Sequence, residues 1–512
     1  MRRKNWSSYL VLALASAAVL PSFSRGEDKP AADTVTQQQM LDEIRSLRAE
    51  VDRLKAQSAP QAAPAATATA SVAPVASHDD QVSATKAAVD ADAAHRQAYS
   101  LTAAPITSGF DGKGFVLSDE QGNNVFRPGF ILQVRNVTNW REDAKKPTAD
   151  DNDLENGWEI RRAKFYFTGN LFSPDLTYRF QMANQTNGSS FVLDDAWAAY
   201  TFYKGNPGKF SAKVGQFKAP VVHEEYEVGD EKQLAAERSL LNDTIGGSSM
   251  GPRTQGLSFL WNSSTDAKAD FLHAEAMVHD GSGNIIAGGA KISKKVNGKT
   301  VTIPTNVPGS VNTDYRDGKT SGAPIVGGAA RVEWRPMGDW ADYIDFTARG
   351  VKNPLLVVGL GGDATNAVNM NYYHFTADAQ YKDPSGVAVY GAALGDFTSF
   401  HNIAGFNNNF DYGGLAQVSY YIGSSGLEPF LRGDVIKFDD DLVPTHNLIS
   451  ELTLGVNYYM GGQGKWGHHA KITVDGTYLP LGSGPVDHLG TDELNNSYRN
   501  EFVIRAQFQV WL

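Results

Sequence analysis

An alternation of apolar and polar residues is the feature of this sequence that most limits its fold. From about Phe110 to the last residue, stretches of roughly ten residues alternate in this way, and clusters of Gly, Asn, Asp and Pro separate them. A period of two places successive side chains on opposite faces of a β-strand. The last stretch is the clearest: Phe502, Ile504, Ala506, Phe508, Val510 and Leu512 fall on one face, and Glu501, Arg505, Gln507 and Gln509 on the other.

About sixteen such stretches follow one another, which predicts an all-β chain folded as a transmembrane antiparallel β-barrel. A soluble β-sandwich also alternates, but a single sandwich uses far fewer residues. Closure into a barrel removes the open sheet edges that lipid does not tolerate. Aromatic residues near the ends of the stretches agree with the girdles at membrane interfaces: Trp140, Trp158, Tyr458, Tyr459, Tyr478 and Trp511.

The N-terminus has the layout of a secretory signal peptide. Arg2, Arg3 and Lys4 precede a short apolar stretch over 9–20, and small residues follow it. The apolar stretch is too short to span a membrane as a helix. We therefore predict a signal peptide over residues 1–24 and export of the remaining chain.

A helical segment and a linker are predicted between the signal peptide and the barrel. Over residues 34–57, five apolar residues recur four and three positions apart, which favours a short coiled coil that associates chains: Met40, Ile44, Leu47, Val51 and Leu54. An isolated amphipathic helix is the alternative, and the pattern does not distinguish two strands from three. Residues 58–109 are rich in Ala and Pro, which predicts a flexible linker before a barrel over 110–512.

Composition and motifs argue against an enzyme. The chain has no cysteine, which excludes disulfides, thiolate metal sites and cysteine nucleophiles. A formal net charge of −11 argues against general nucleic-acid binding. The run from His223 to Glu227 lacks the second His of a zinc-protease helix. We expect no catalytic residue, no metal and no cofactor.

Several blocks resemble the phosphate-selective porin O and P family. They are 159–165 (EIRRAKF), 214–220 (VGQFKAP), 237–240 (ERSL), Gly251-Pro252-Arg253 ahead of Gly256, 451–459, and the final strand from Glu501. The resemblance implies a sixteen-stranded porin, usually trimeric, whose Arg and Lys side chains attract phosphate-like anions. Two positions depart from the family: Ala219 stands where Glu is frequent, and the chain ends in Leu512 where many barrels end in Phe.

These observations predict an outer-membrane porin of Gram-negative type, surrounded by lipid and with its N-terminal arm in the periplasm. Small hydrophilic solutes would pass by diffusion, with a preference for anions such as phosphate. The arm would stabilise a homotrimer or contact the cell wall. Strand parity, together with the family blocks, selects the candidate pore-lining cations: Arg161, Arg162, Lys164, Arg179, Lys209, Lys213, Lys218, Arg331, Arg335 and Arg349. Of these, Arg161 falls in the opposite register, near the rim, and Arg349 falls on a strand opposite Phe346.

Three alternatives stay open from sequence alone. The cations can simply pair with lumen carboxylates, since such pairs are common at wet surfaces. A carbohydrate-selective porin would place a file of aromatic residues in the lumen, but Tyr343, Phe430 and Tyr459 do not cluster in sequence; a general porin is a further alternative. A structural anchor between outer membrane and cell wall would need a wall-binding domain, and the arm carries no globular one.

Overall fold

The computed structural model describes a barrel and the segments that fold into it. The described residues are Lys86, 106–110, 114–142, 154–184, 191–246, 253–281, 292–296, 299–303, 324–367, 370–401, 407–440, 447–482 and 499–512. The predicted signal peptide, the coiled coil and most of the predicted linker lie outside these residues. No described helix is long and apolar enough to cross a membrane.

Twenty strands occur within the described residues. In chain order they are β1 (Ile106–Phe110), β2 (Phe115–Asp119), β3 (Val125–Glu142), β4 (Leu154–Leu171), β5 (Ser173–Asn184), β6 (Phe191–Gly205), β7 (Gly208–Phe217), β8 (Thr254–Asn262), β9 (Leu272–His279), β10 (Ile292–Val296), β11 (Lys299–Ile303), β12 (Pro324–Met337), β13 (Leu355–Ala367), β14 (Met370–Lys382), β15 (Val387–Phe400), β16 (Asn409–Tyr420), β17 (Leu427–Lys437), β18 (Leu448–Tyr459), β19 (Ala470–Leu479) and β20 (Arg499–Trp511).

Sixteen of the described strands, β3–β9 and β12–β20, form a closed antiparallel barrel. Each strand pairs with its neighbours in the chain, and β9 pairs with β12. The barrel closes where β3 pairs with β20, and Phe508 lies opposite Val134 in this pairing. The predicted sixteen-stranded barrel is confirmed. Outside it, β1 and β2 form a hairpin that includes residues 106–109, the end of the predicted linker, and β10 and β11 form another.

The period-two pattern separates the inner from the outer face of the wall. On β20, Phe502, Ile504 and Phe508 are exposed on the outside, whereas Glu501 and Arg505 are buried inside. A barrel in lipid needs this arrangement, because apolar side chains face the hydrocarbon and polar ones face the lumen. The alternation predicted for the last strand is therefore confirmed residue by residue.

Most of the shortest connections lie at one end of the barrel, here called the short-turn end, and the longest connection lies at the other. Phe172 alone joins β4 to β5, and residues 383–386 join β14 to β15. The other end carries the connections 280–323 and 438–447, of which the first contains the β10–β11 hairpin. The barrel's chain termini lie at the short-turn end, where the amide of Leu512 donates to the Phe130 carbonyl at 3.0 Å.

Residues 218–246, here called the constriction segment, fold into the lumen. The segment contains the helices α1 (His223–Tyr226) and α2 (Leu240–Ile245), and a 3-10 turn over Asp230–Lys232. Ser239 caps α2 by accepting a hydrogen bond from the Asn242 amide at 3.1 Å. Apolar side chains of α2 pack on inward residues of the far wall: Leu240, Leu241 and Ile245 join Tyr390, Ala392, Leu394, Leu415 and Ile436 in one buried cluster. This packing closes one side of the lumen.

A second segment, residues 338–354, folds inward from the short-turn end and corrects one prediction. It begins with a 3-10 turn over Trp340–Asp342 and is not a strand. Phe346 is buried inside the barrel rather than facing outward, so Arg349 does not lie on a wall strand. Ile344, Phe346 and Ala348 alternate with polar residues in the sequence and so imitate the period of two, but the segment buries Phe346, Thr347 and Ala348 in succession. The Tyr343 ring stacks on the His223 ring, with centroids 4.0 Å apart, and joins the two inward segments.

Candidate pore constriction

Three arginines of the barrel wall converge on Glu237 of the constriction segment. Arg135 Nη1 lies 2.6 Å from Glu237 Oε1, Arg162 Nη2 lies 2.9 Å from Oε2, and Arg161 donates to Oε1 as well. Burial alone would raise the pKa of the Glu237 carboxyl, but the three guanidinium groups hold that pKa well below its ordinary value. Glu237 is therefore an ionised anchor that ties the middle of the segment to β3 and β4.

A β-bulge explains why two adjacent arginines face inward. Gln133 of β3 pairs with Arg162, whereas the next residue, Val134, pairs with Ile160. Arg161 is the extra residue of the bulge, and a bulge redirects a side chain that strict alternation would send outward. The prediction that Arg161 lies in the opposite register, near the rim, is corrected by this irregularity.

A second bulge, in β6, provides the reciprocal arrangement for Arg253. The register shifts between Gln181 and Met182 of β5, so both Asp194 and Asp195 face the lumen. Arg253 Nη1 lies 2.8 Å from Asp194 Oδ1, and its Nε lies 2.8 Å from Asp195 Oδ1. Three wall arginines thus hold the Glu237 carboxylate of the segment, and two wall aspartates hold Arg253 at the start of β8.

The lumen contains an open cavity of about 320 Å³ between the constriction segment and the wall formed by β3–β7. Trp197 and Phe217 form apolar parts of its lining. Six basic side chains line it: Lys164, Arg179, Lys213, Lys218, Lys232 and Arg253. Four acidic side chains line it as well: Asp195, Glu227, Asp230 and Glu231. Basic groups therefore outnumber acidic groups along the cavity.

The cations of this cavity are positioned by short contacts. Lys213 Nζ lies 2.9 Å from Glu275 and 4.3 Å from the centre of the Phe217 ring. Arg179 Nε lies 3.1 Å from Asp195, and its guanidinium lies over the Tyr166 ring at 4.9 Å. The Arg179 side chain keeps 29% of its surface exposed, so it is accessible to a passing solute.

Four of the ten predicted pore residues line this cavity, namely Lys164, Arg179, Lys213 and Lys218. Lys164 Nζ is 2.6 Å from Asp230, and Lys218 Nζ is 2.9 Å from Glu225. Arg161 and Arg162 lie beside the cavity and form salt bridges with Glu237, and Arg162 also approaches Asp230 at 3.4 Å. Of these cations, Arg161, Arg162 and Lys164 both face the lumen and hold carboxylates of the constriction segment.

The remaining predicted residues lie elsewhere in the barrel. Arg331 is buried, lies 2.8 Å from Asp378 and donates to the Val221 carbonyl at 2.8 Å, so it anchors the start of the constriction segment. Arg335 donates to carbonyls of a short-turn connection, including Ala267 at 3.1 Å. Arg349 belongs to the inward segment 338–354. Lys209 lies at the short-turn end of β7.

Sequence reasoning missed several residues of the constriction. Arg135, Trp197, Lys232, Glu237 and Arg253 were not selected as pore residues. Two of these, Glu237 and Arg253, stand inside the blocks that resemble the porin family, which was a usable signal. Another signal was β15, where Ala388, Tyr390, Ala392 and Leu394 make the inward face as apolar as the outward one: a wall strand with two apolar faces needs a partner inside the barrel.

These features together define a class of protein. A closed antiparallel barrel with an apolar exterior, and a polar lumen narrowed by an inward segment, is the architecture of an outer-membrane porin of Gram-negative type, through which small hydrophilic solutes pass. The family described as phosphate-selective porin O and P matches residues 137–308. The resemblance predicted from sequence is thereby confirmed over this part of the chain.

Solved structures similar to the chain include proteins from three organisms. The anion-selective porin of Comamonas acidovorans shares 11% identity over 76% of this chain and 100% of its own, with a TM-score of 0.46. Pseudomonas putida OprB shares 9% over 76% and 94%, with a TM-score of 0.47. The Acinetobacter baumannii channel DcaP shares 12% over 78% and 99%, with a TM-score of 0.42. No curated protein matches the chain at a significant level.

Proposed function

We propose that the chain is a porin for passive diffusion of small hydrophilic solutes that favours anions, with phosphate-like anions as the solutes implied by the family match. The observation that carries the anion preference is the lining of the 320 Å³ cavity, where six basic side chains stand against four acidic ones. In a narrow passage with low-dielectric walls, an excess of one charge sign lowers the cost of entry for the opposite sign.

Arg179 and Lys213 are the proposed contact residues for passing anions. Arg179 has the most exposed side chain of the salt-bridged cations in the cavity, and Lys213 lies between Glu275 and two aromatic rings. Arg161, Arg162 and Arg331 act on the path indirectly in this proposal, because they position the constriction segment. Lys209, Arg335 and Arg349 belong to the short-turn end of the pathway.

The N-terminal arm completes the proposal. After removal of residues 1–24, a coiled coil over 34–57 and a linker over 58–109 would lie in the periplasm, support a homotrimer and contact the cell wall. The linker length allows the coiled coil to form at a distance from the membrane. Chemical crosslinking of the full-length protein in detergent, compared with a Leu47→Pro variant that breaks the helix, tests the contribution of the arm to assembly.

Reversal potentials in planar bilayers test the proposed selectivity. In a tenfold KCl gradient, the proposal predicts a potential that favours chloride, and a decrease in chloride current when phosphate is added. A cation-selective or unselective channel would overturn the anion preference. Correctly folded protein that does not conduct would overturn the pore itself and favour a structural anchor.

A further inference from the structure

Glu227 lies at the junction of two cavities in the lumen. It follows α1 directly, and its amide donates to the His223 carbonyl at 3.0 Å, so the end of the helix fixes its position. Its side chain lines the 320 Å³ cavity and also a neighbouring cavity of about 80 Å³. Tyr226 is the other residue that the two linings share. An ion in either cavity is therefore close to Glu227.

The Glu227 carboxylate differs from most acidic groups around it because it lacks a cation of its own. Asp195 is held by Arg253 at 2.8 Å, and Asp230 by Lys164 at 2.6 Å. Within the part of the chain that the structure describes, the carboxylate of Glu227 makes no hydrogen bond and no salt bridge. Its charge is thus not cancelled by a partner at short range.

Charged groups approach Glu227 from three wall strands. They are Lys213 on β7, His273 and Glu275 on β9, and Arg331 and Glu333 on β12. Both wall carboxylates already have a cation, because Glu275 is 2.9 Å from Lys213 and Glu333 is 2.6 Å from Arg331. Glu227 is the third carboxylate of this group. A carboxylate beside other carboxylates loses its proton less readily.

We propose that Glu227 determines how strongly the channel prefers anions, and that this preference weakens as Glu227 ionises. The inference rests on the proposed anion conduction and names the residue that regulates it. With Glu227 neutral, six basic groups of the larger cavity face three acidic ones; with Glu227 ionised, they face four. The added negative charge lies on the lining of both cavities, so it acts on an ion in either one.

The expected range of ionisation follows from the surroundings of Glu227. Burial, followed by the nearby carboxylates of Glu333 and Glu275, raises the pKa of Glu227 to about 8. Because the pKa is raised, the neutral form predominates at pH 7 and the charged form at pH 9.5. The interval from pH 7 to pH 9.5 also lies above the pH range in which ordinary histidines titrate.

Selectivity of the full-length protein at these two pH values tests the inference. In planar bilayers under a KCl gradient, the wild-type ratio of chloride to potassium permeability should fall by about threefold or more from pH 7 to pH 9.5, the effect of one unit charge a few ångströms from the ion path. Glu227→Gln should keep its pH 7 ratio at pH 9.5. Glu227→Asp retains a titratable carboxyl and should keep the fall. Glu231→Gln removes another acidic group of the same cavity, and its ratio of chloride to potassium permeability should still fall from pH 7 to pH 9.5.

The outcomes separate this inference from the proposed function. A pH-independent wild-type ratio, or a Glu227→Gln channel with the full wild-type pH dependence, would overturn the role of Glu227. A channel that selects cations at both pH values, but still shows the Glu227-dependent shift, would overturn the anion preference and retain the inference. Folded protein without conductance would overturn both.

Discussion

Replacing Glu237 by Gln should loosen the constriction segment, because this carboxylate joins three arginines of two wall strands. The side chain is 2% exposed, so the arginines lose a partner that water does not replace. Arg135 keeps Glu159 at 2.5 Å, and Arg162 keeps Asp230 at 3.4 Å. The loss is therefore that of one buried carboxylate rather than three separate pairs, and we expect a cost of about 3–5 kcal/mol in the free energy of unfolding.

Urea unfolding of the barrel in lipid vesicles measures this cost, and single-channel recording measures the loosening. The variant should show a lower free energy of unfolding together with a noisier or larger conductance, since the segment narrows the lumen. Glu155→Gln is the matched control: Glu155 is 51% exposed and lies 2.7 Å from Arg141, and exposed pairs contribute at most about 1 kcal/mol. Equal effects of the two substitutions, or a Glu237→Gln channel with unchanged stability and current, would refute the reasoning.

The same residue predicts a pH dependence with a definite sign. Despite burial, the arginines hold the pKa of Glu237 well below its ordinary value, so the stabilisation is present above the unfolded-state pKa of about 4.3 and is lost as the pH falls below it. The free energy of unfolding of the wild type should therefore decrease more steeply on acidification than that of Glu237→Gln. Parallel pH profiles of the two proteins would contradict this assignment.

Three further predictions concern other parts of the lumen. Arg179→Ala should lower the ratio of chloride to potassium permeability while leaving the free energy of unfolding within about 0.5 kcal/mol, because its side chain is partly exposed; an unchanged reversal potential would argue against its contact role. Arg253→Gln should lower stability in urea, since it leaves the adjacent Asp194 and Asp195 without their common partner; a wild-type midpoint would contradict this. Leu241→Ala should cost about 2–5 kcal/mol in the same assay, because this fully buried side chain packs α2 on the barrel wall, and a cost below 1 kcal/mol would show that the contact is not tight.

The sequence was sufficient for the barrel because lipid and lumen impose opposite requirements on alternate residues. The inward and outward residues predicted for β20 are therefore confirmed. The sequence does not predict the bulges at Arg161 and Asp194. One extra residue reverses which side chains face the lumen but does not change the composition of the strand. The sequence predicts a strand for part of the inward segment 338–354 because Ile344, Phe346 and Ala348 alternate with polar residues.

The constriction segment was harder to predict for another reason. Its helices are only four and six residues long, too short to show an amphipathic period. Its position depends on contacts far apart in sequence, such as the hydrogen bond from Arg432 to the Glu237 carbonyl at 3.0 Å. Many lumen cations pair with carboxylates, an alternative that the sequence leaves open. Because some of these carboxylates belong to the constriction segment, several predicted cations position that segment.

In the proposed pathway, solutes pass between the constriction segment and the β3–β7 wall, and not along the side packed by α2. The natural chain has no cysteine, so a single introduced thiol is unique. Arg179→Cys places a thiol in the cavity, whereas Ala392→Cys places one in the apolar cluster beneath α2. A negatively charged thiol reagent, applied during single-channel recording, should change the current through the first variant and leave the second unaffected. A change in current for the Ala392→Cys variant, with none for the Arg179→Cys variant, would contradict this pathway.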